Sequence, residues 1–319
     1  MRPMANAPRG FWAALVAGWV VLGAAGVIFA RWKDIPAWAA WPAIAAFLIE
    51  YPFYLVPATP WLRERFRGRR LPVYLLVSVI APYLAACAGA IEFHWAGLLE
   101  LAVLAVAIGL WYVVLPVNIA VDIVFLGMLP VVLLSGFFNG IYKPALPILK
   151  DILVLGHLAL IHMSVMALLV ERRVGETRYG FIPNSKEWRV GALYFLYFVP
   201  VGFPLAFLLN AVRVVNPANP LTILAQFLGF LWVVGLSEEF FFRGVLQPWL
   251  EAWTWSRPVA LLVASALYGL VHLQRGWQWV LITAVLGCFC GLARNRAGSI
   301  RASMVTHALA AATWRAFLR

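Results

Sequence analysis

Residues 227–250 read FLGFLWVVGLSEEFFFRGVLQPWL. The stretch is apolar and long enough to cross a bilayer, which takes about 20 residues of helix, yet Glu238, Glu239 and Arg243 stand inside it. Insertion scales charge roughly 2.5–3.5 kcal/mol for an ionised group at membrane depth, so each needs a partner or a watery cavity. Glu239 and Arg243 are four apart, one turn along the same helix face, and are placed to neutralise each other. Glu238 points about 100° away. Arg243 cannot serve both carboxylates equally, and one is left for another task. A carboxylate in such a pocket can act as a general base. The plainer reading is a buried ion-pair network that fixes helix packing.

The rest of the chain is of the same kind. Of its 319 residues, 64% are hydrophobic and 12% charged, with a mean hydropathy of +0.88. A soluble domain is roughly half apolar and about a quarter charged. A soluble core cannot hide this excess, so it faces lipid. Many of the 16 Trp, among them Trp12, Trp32, Trp61, Trp188 and Trp277, sit near the ends of apolar runs, where an indole straddles the headgroup region. Runs near 11–30, 36–57, 71–91, 95–115, 119–138, 148–170, 190–210, 221–247, 258–273, 277–294 and 300–317 predict an all-α polytopic transmembrane bundle of 8–11 spans. Backbone groups in lipid must bond internally, and the alternation of membrane barrel strands is missing. The first run exceeds the ~7–15-residue core of a cleaved signal, so it reads as a retained helix behind Arg2 and Arg9.

The net charge of +12 lies in short loops rather than on a basic face interleaved with aromatics, which excludes nucleic acid as the expected partner and points to membrane lipids. Five Arg between 63 and 70, four Arg and one Lys between 172 and 189, and Arg294, Arg296 and Arg301 all fall on the cytoplasmic side if the N-terminus is cytoplasmic. Residues 92–94 and 139–146 then fall outside. Arg31 and Lys33 run against this pattern. The expected location is the cell inner membrane. The polar stretch 171–189 divides the chain into a region 1–189 without a recognised motif and a region 190–319 that holds nearly all the suggestive residues. Cys87, Cys288 and Cys290 lie in apolar runs and read as small buried hydrophobes. Gly287 and Gly291 read as a close-packing pair. Glu50, Glu100, Asp122 and Asp151 read as packing pairs or helix-end residues, and His157 and His162 as structural.

Two further histidines stand in the last third. His272 follows Tyr268 by one turn in LYGLVHL, and His307 lies in MVTHALAA. A lone helix histidine is ordinarily a satisfied core residue. Here Glu238, His272 and His307 fall on three successive helices of one bundle, and facing helices assemble sites in bundle cores. A glutamate with two histidines is a water-activating set, with or without a metal.

These residues carry a resemblance. The EExxxR pattern of Glu238, Glu239 and Arg243, the aromatic-xxx-His of Tyr268 and His272, and the third-helix His307 resemble the CAAX protease and bacteriocin-processing family, the type II CAAX prenyl endopeptidase-like (CPBP, Abi) intramembrane proteases. The resemblance covers roughly 190–319 and implies roles. Glu238 activates water, His272 helps hold it, His307 faces the developing oxyanion, and Glu239, Arg243 and Tyr268 support them. It implies a glutamate-type peptidase without a metal cofactor, acting on a peptide or protein substrate at the membrane. The family often has Asn or Asp four residues after the third-motif histidine, and this chain has Ala311. A missing oxyanion donor costs roughly 2.7–4 kcal/mol of transition-state stabilisation; Ser303, Thr306 or Thr313 are the nearby hydroxyls.

The expected function is therefore intramembrane peptide hydrolysis by Glu238, His272 and His307. Three alternatives stay open: a zinc site on the same three residues, a catalytically inactive scaffold or immunity protein on the same fold, and a proton-coupled transporter with Glu238, Glu239 and Arg243 on its path. The lack of an internal repeat counts against the transporter. No HExxH, GxSxG or paired intramembrane Asp motif is present.

Overall fold

The structure, a computed structural model, describes residues 7–175, 177–217 and 219–318. Arg2 lies outside these residues, as does the side chain of Arg9. The described residues form helices and no strand. Two compact units follow one another, Met1–Arg173 and Val174–Arg319.

The first unit holds α1 (Ala7–Trp32), α2 (Ala37–Leu55), α3 (Arg70–Cys87), α4 (Trp95–Val114), α5 (Ile119–Leu134) and α6 (Pro147–Glu171). Helix α1 leaves Trp12, Val16, Val20, Val21, Ile28 and Trp32 exposed, an arrangement that requires lipid rather than water outside it. Helix α4 packs closely on α3 at Gly109, where an added Cβ would stand 2.7 Å from the Cα of Pro72. Helix α5 starts at the Asn118 cap. It stops at Leu134, short of the expected 138, because Gly136 takes a left-handed φ of 77° and Phe137–Ile141 begins a separate short turn. Asp122 in α5 accepts a two-pronged contact from Arg172 (2.8 and 2.7 Å) and a hydrogen bond from Tyr112 (3.0 Å).

The second unit holds α7 (Ser185–Leu208), α8 (Pro220–Thr254), α9 (Arg257–Val271), α10 (Trp277–Ala297) and α11 (Ile300–Phe317). Helix α7 starts earlier than its apolar run because Asn184 and Glu187 form a capping box. Glu187 also pairs with Arg301 at 3.0 Å, which pins the start of α7 to the start of α11. The two helices approach so closely at Gly191 that an added Cβ would lie 2.5 Å from Val305 Cβ. Their far ends share an apolar core of Phe198, Ala206, Ile282, Leu286, Ala310 and Trp314. Helix α8 runs past the expected end at 247. Pro248 follows a π-type stretch, and the helix continues through it to Thr254.

Among the described residues, eight helices are long and apolar enough to cross a membrane, and α5 and α9 are shorter apolar helices. The all-α polytopic reading holds, and the chain is an integral membrane protein.

Candidate active site

Helix α8 is not a uniform α-helix. π-type stretches at Phe230–Gly235 and Phe240–Leu246 bracket the four α-helical residues Leu236–Glu239. Such wider turns are rare and recur at functional sites. Here they set where the two glutamates and the arginine emerge.

Arg243 Nε stands 3.3 Å from Glu239 Oε2, and both side chains are 0% exposed. Arg243 Nη2 donates to the Gly287 carbonyl of α10 at 2.8 Å, and the guanidinium carbon lies 4.7 Å from the centre of the Tyr268 ring of α9. One arginine thus joins three helices. The pair expected from spacing alone is present, and it is sealed.

His307 of α11 completes the cover over Glu239. Its Nδ1 donates to Glu239 Oε1 at 3.0 Å, while its Nε2 lies 3.8 Å from Glu238 Oε2. His272 sits at the C-terminal end of α9 and its Nδ1 donates to the Tyr268 carbonyl at 3.1 Å. A carbonyl only accepts, so Nδ1 carries the hydrogen and Nε2 keeps a lone pair. The Tyr268 ring meets both imidazoles edge-on, its centre 5.0 Å from that of His272 and 6.1 Å from that of His307. Glu238 is near enough to His272 for its charge to act there.

The structure therefore gathers Glu238, His272 and His307 around Tyr268 and sets Glu239 and Arg243 behind them. The two glutamates differ sharply. The Glu238 side chain is 30% exposed, whereas Glu239 is 0% exposed between His307 and Arg243; Oε2 of each is buried without a hydrogen-bond partner. Of the hydroxyls near Ala311, Thr306 is committed to the carbonyls of Gly191 (2.9 Å) and Ala302 (3.2 Å). Ser303 Oγ is buried with no hydrogen-bond partner. Two participants were not legible as such in the sequence: the Gly287 carbonyl that receives Arg243, and Cys290, whose thiol stands beside Glu239 and contacts the Ser303 carbonyl at 3.8 Å. The Gly287–Gly291 spacing signalled close packing but not what would pack there.

Among the described residues no three His, Cys, Asp or Glu side chains are disposed as metal ligands. The Nδ1 atoms of His272 and His307 are both turned to oxygen acceptors instead.

A carboxylate and two histidines on facing helices of a membrane bundle are a set able to activate water. Residues 220–313, which run from α8 into α11, match the family model described as Type II CAAX prenyl endopeptidase Rce1-like. The resemblance to the CAAX protease family stands over these residues and supports, in general terms, a CAAX-type intramembrane endopeptidase, with a peptide substrate at the membrane. No curated protein and no solved structure matches the chain.

Proposed function

We propose that the chain hydrolyses peptide bonds of membrane-associated substrates within the bilayer, with Glu238 as general base, His272 as its partner on the water and His307 as oxyanion donor. The observation that carries this is the asymmetry between the glutamates. Glu238 is the partly exposed one, at 30% against 0% for Glu239. Glu239 is enclosed by Arg243 and His307 and has no free face.

The charge count supports the roles. Two carboxylates and one guanidinium leave one negative charge in a low-dielectric site. A second proton on His307 balances it and gives Nε2 a hydrogen to donate. A water held between Glu238 and the His272 Nε2 lone pair gives its proton to Glu238 as its oxygen attacks the scissile carbonyl. The negative charge that forms on the carbonyl oxygen faces His307 Nε2–H. Glu238 then passes the proton to the leaving amine, which closes the balance as a hydrolysis. Arg243 and Glu239 hold the imidazole of His307 in place. The charge clusters support a cytoplasmic N-terminus in a cell inner membrane.

One rival has an observation of its own. Ala311 offers no second oxyanion donor and Thr306 is already bonded, as suits an inactive scaffold or immunity protein on the same fold. Terminal peptide mapping of membrane proteins in cells carrying wild type or Glu238→Gln separates the two. New termini that vanish in the variant support the protease. Identical termini in both support the scaffold. A chelator arm tests zinc: activity lost and restored by Zn²⁺ assigns a metal, and indifference supports the glutamate mechanism.

A further inference from the structure

Arginines crowd the end of the second unit where α7 begins, α10 ends and α11 begins, and they differ in what they meet. Arg301 pairs with Glu187 at 3.0 Å and donates to the Ile182 carbonyl at 2.9 Å. Arg257 pairs with Glu251 at 2.6 Å, and Arg294 donates to the Asn295 side chain at 3.1 Å. These groups are satisfied within the protein, as Glu50 is by His162 at 2.8 Å in the first unit. Arg189 of α7 and Arg296 of α10 stand at the same end. Neither has an ion pair or a hydrogen bond from its side chain to any of the described residues.

The two arginines line one groove of about 410 Å³ between α7 and α10, together with Val190, Leu193, Tyr194 and Tyr197. That volume is within the range of small-molecule sites, about 300–1,000 Å³. No described carboxylate lines it. Arg189, Leu193 and Tyr197 recur every four residues, with Val190 and Tyr194 beside them, so α7 turns a single stripe to the groove. The α10 wall is low because its residues there are small: Val190 and Tyr194 pack on Ala293 and Ala297. Leu193 and Tyr197 remain exposed, so the stripe opens outward rather than into the bundle. The Tyr194 and Tyr197 rings meet edge-on at 5.7 Å, and their hydroxyls bond to none of the described residues.

Charge sits at one end of this groove only. Arg189 precedes the apolar stripe and Tyr197 ends it, about 12 Å further along the helix. One leaflet of the hydrocarbon core is about 15 Å deep. Trp188, exposed beside Arg189, is the residue type that settles at headgroup level. The groove thus starts at that level with two guanidiniums and runs inward along an aliphatic and aromatic wall. A water-soluble anion would meet the arginines and leave the wall bare. An uncharged lipid would cover the wall and leave two like charges unbalanced. An amphiphile with an anionic head satisfies both, and a guanidinium takes phosphate oxygens through two parallel hydrogen bonds.

We propose that the α7–α10 groove binds one anionic phospholipid, whose phosphate bridges Arg189 and Arg296 and whose acyl chain lies along Leu193 and Tyr197. The lipid links the start of α7 to the end of α10, as the Glu187–Arg301 pair links the start of α7 to α11. A choline headgroup returns a cation to the arginines and binds less well. One basic side chain near a membrane surface strengthens the binding of anionic lipid roughly fivefold, and two do so about 30-fold. The groove lies apart from Glu238, His272 and His307 and does not rest on their chemistry.

The test is native mass spectrometry of the full chain in detergent, titrated with dioleoyl phosphatidylglycerol or with dioleoyl phosphatidylcholine. The result expected is one phosphatidylglycerol bound about 30-fold more tightly than phosphatidylcholine. Equal affinity for the two lipids overturns the proposal, and this wild-type comparison stands whatever the stability of any variant. Arg189→Gln combined with Arg296→Gln should bring the preference to within a few fold of unity; a preference that survives overturns the site. Arg213→Gln combined with Arg315→Gln removes the same charge at the opposite end of the bundle, where Val215 bonds Phe317, and should keep the preference. An equal fall there would show general charge attraction in place of a site. Inorganic phosphate at millimolar concentration should not displace the lipid, and displacement would show an anion site with no groove for the chain. All four arginines are exposed, so each pair of substitutions should leave the unfolding midpoint unchanged.

Discussion

Glu238 and Glu239 are neighbours in sequence with opposite surroundings, and the difference can be read by substitution. Arg243 faces Glu239 and the Gly287 carbonyl, and its side chain is 0% exposed. Arg243→Ala should therefore destabilise the protein by roughly 3–5 kcal/mol, because a buried carboxylate is left unpaired. Thermal unfolding in detergent checks this, and an unchanged midpoint would contradict the buried pair. Arg243→Lys should recover only part of the loss, since an ammonium lacks the planar fork that reaches both acceptors. This pair was legible in the sequence because a spacing of four puts two residues on one helix face. The bond from His307 to Glu239 was not. It spans 68 residues, and the π-type stretches of α8 decide which glutamate meets the histidine. The roles expected for Glu239 and His307 treated them separately, and the structure makes them partners. Glu50 and His162 taught the same lesson. Each looked like a packing residue, and neither indicated the other across 112 positions.

At the scale of elements, the helices of both units follow their apolar runs, because hydropathy averaged over a span is insensitive to detail. Their ends depend on single residues that an average cannot weigh. Gly136 ends α5 early, the Asn184 capping box starts α7 early, and Pro248, which follows a π-type stretch, does not end α8. Helix α9 matters most for the site, since it carries Tyr268 and ends at His272. It lies so close to α10 that a Cβ at Gly269 would meet the Val280 carbonyl at 2.5 Å and Ala284 Cβ at 2.9 Å. Gly269→Ala should push α9 outward and displace His272. A shift of about 1 Å at a reacting group costs on the order of 10²-fold in rate. The expected outcome is a fall in kcat with KM nearly unchanged, and a variant with full kcat would show that His272 does not set the geometry of the reaction.

For the whole molecule, the decisive property is where water and substrate reach a site at membrane depth. In the second unit, α9 and α10 run in opposite directions, so His272 lies at the end away from the turn that carries Arg294, Arg296 and Arg301. With that arginine-rich turn cytoplasmic, the loop 273–276 belongs to the opposite side. Single-cysteine variants in a cysteine-free background test this: Arg296→Cys should react with an impermeant thiol reagent only from the cytoplasmic side, and Gln274→Cys only from the other. The reverse pattern would invert the orientation of the whole unit. The most direct measurement of the central claim compares single-turnover cleavage by wild type, Glu238→Gln and Glu239→Gln in lipid nanodiscs, with unfolding midpoints measured alongside. A general base contributes roughly 10²–10⁴-fold, so Glu238→Gln should lose at least about 10²-fold in rate at an unchanged midpoint, while Glu239→Gln should lose stability with its buried ion pair. Cleavage by Glu238→Gln within a few fold of wild type would contradict the account.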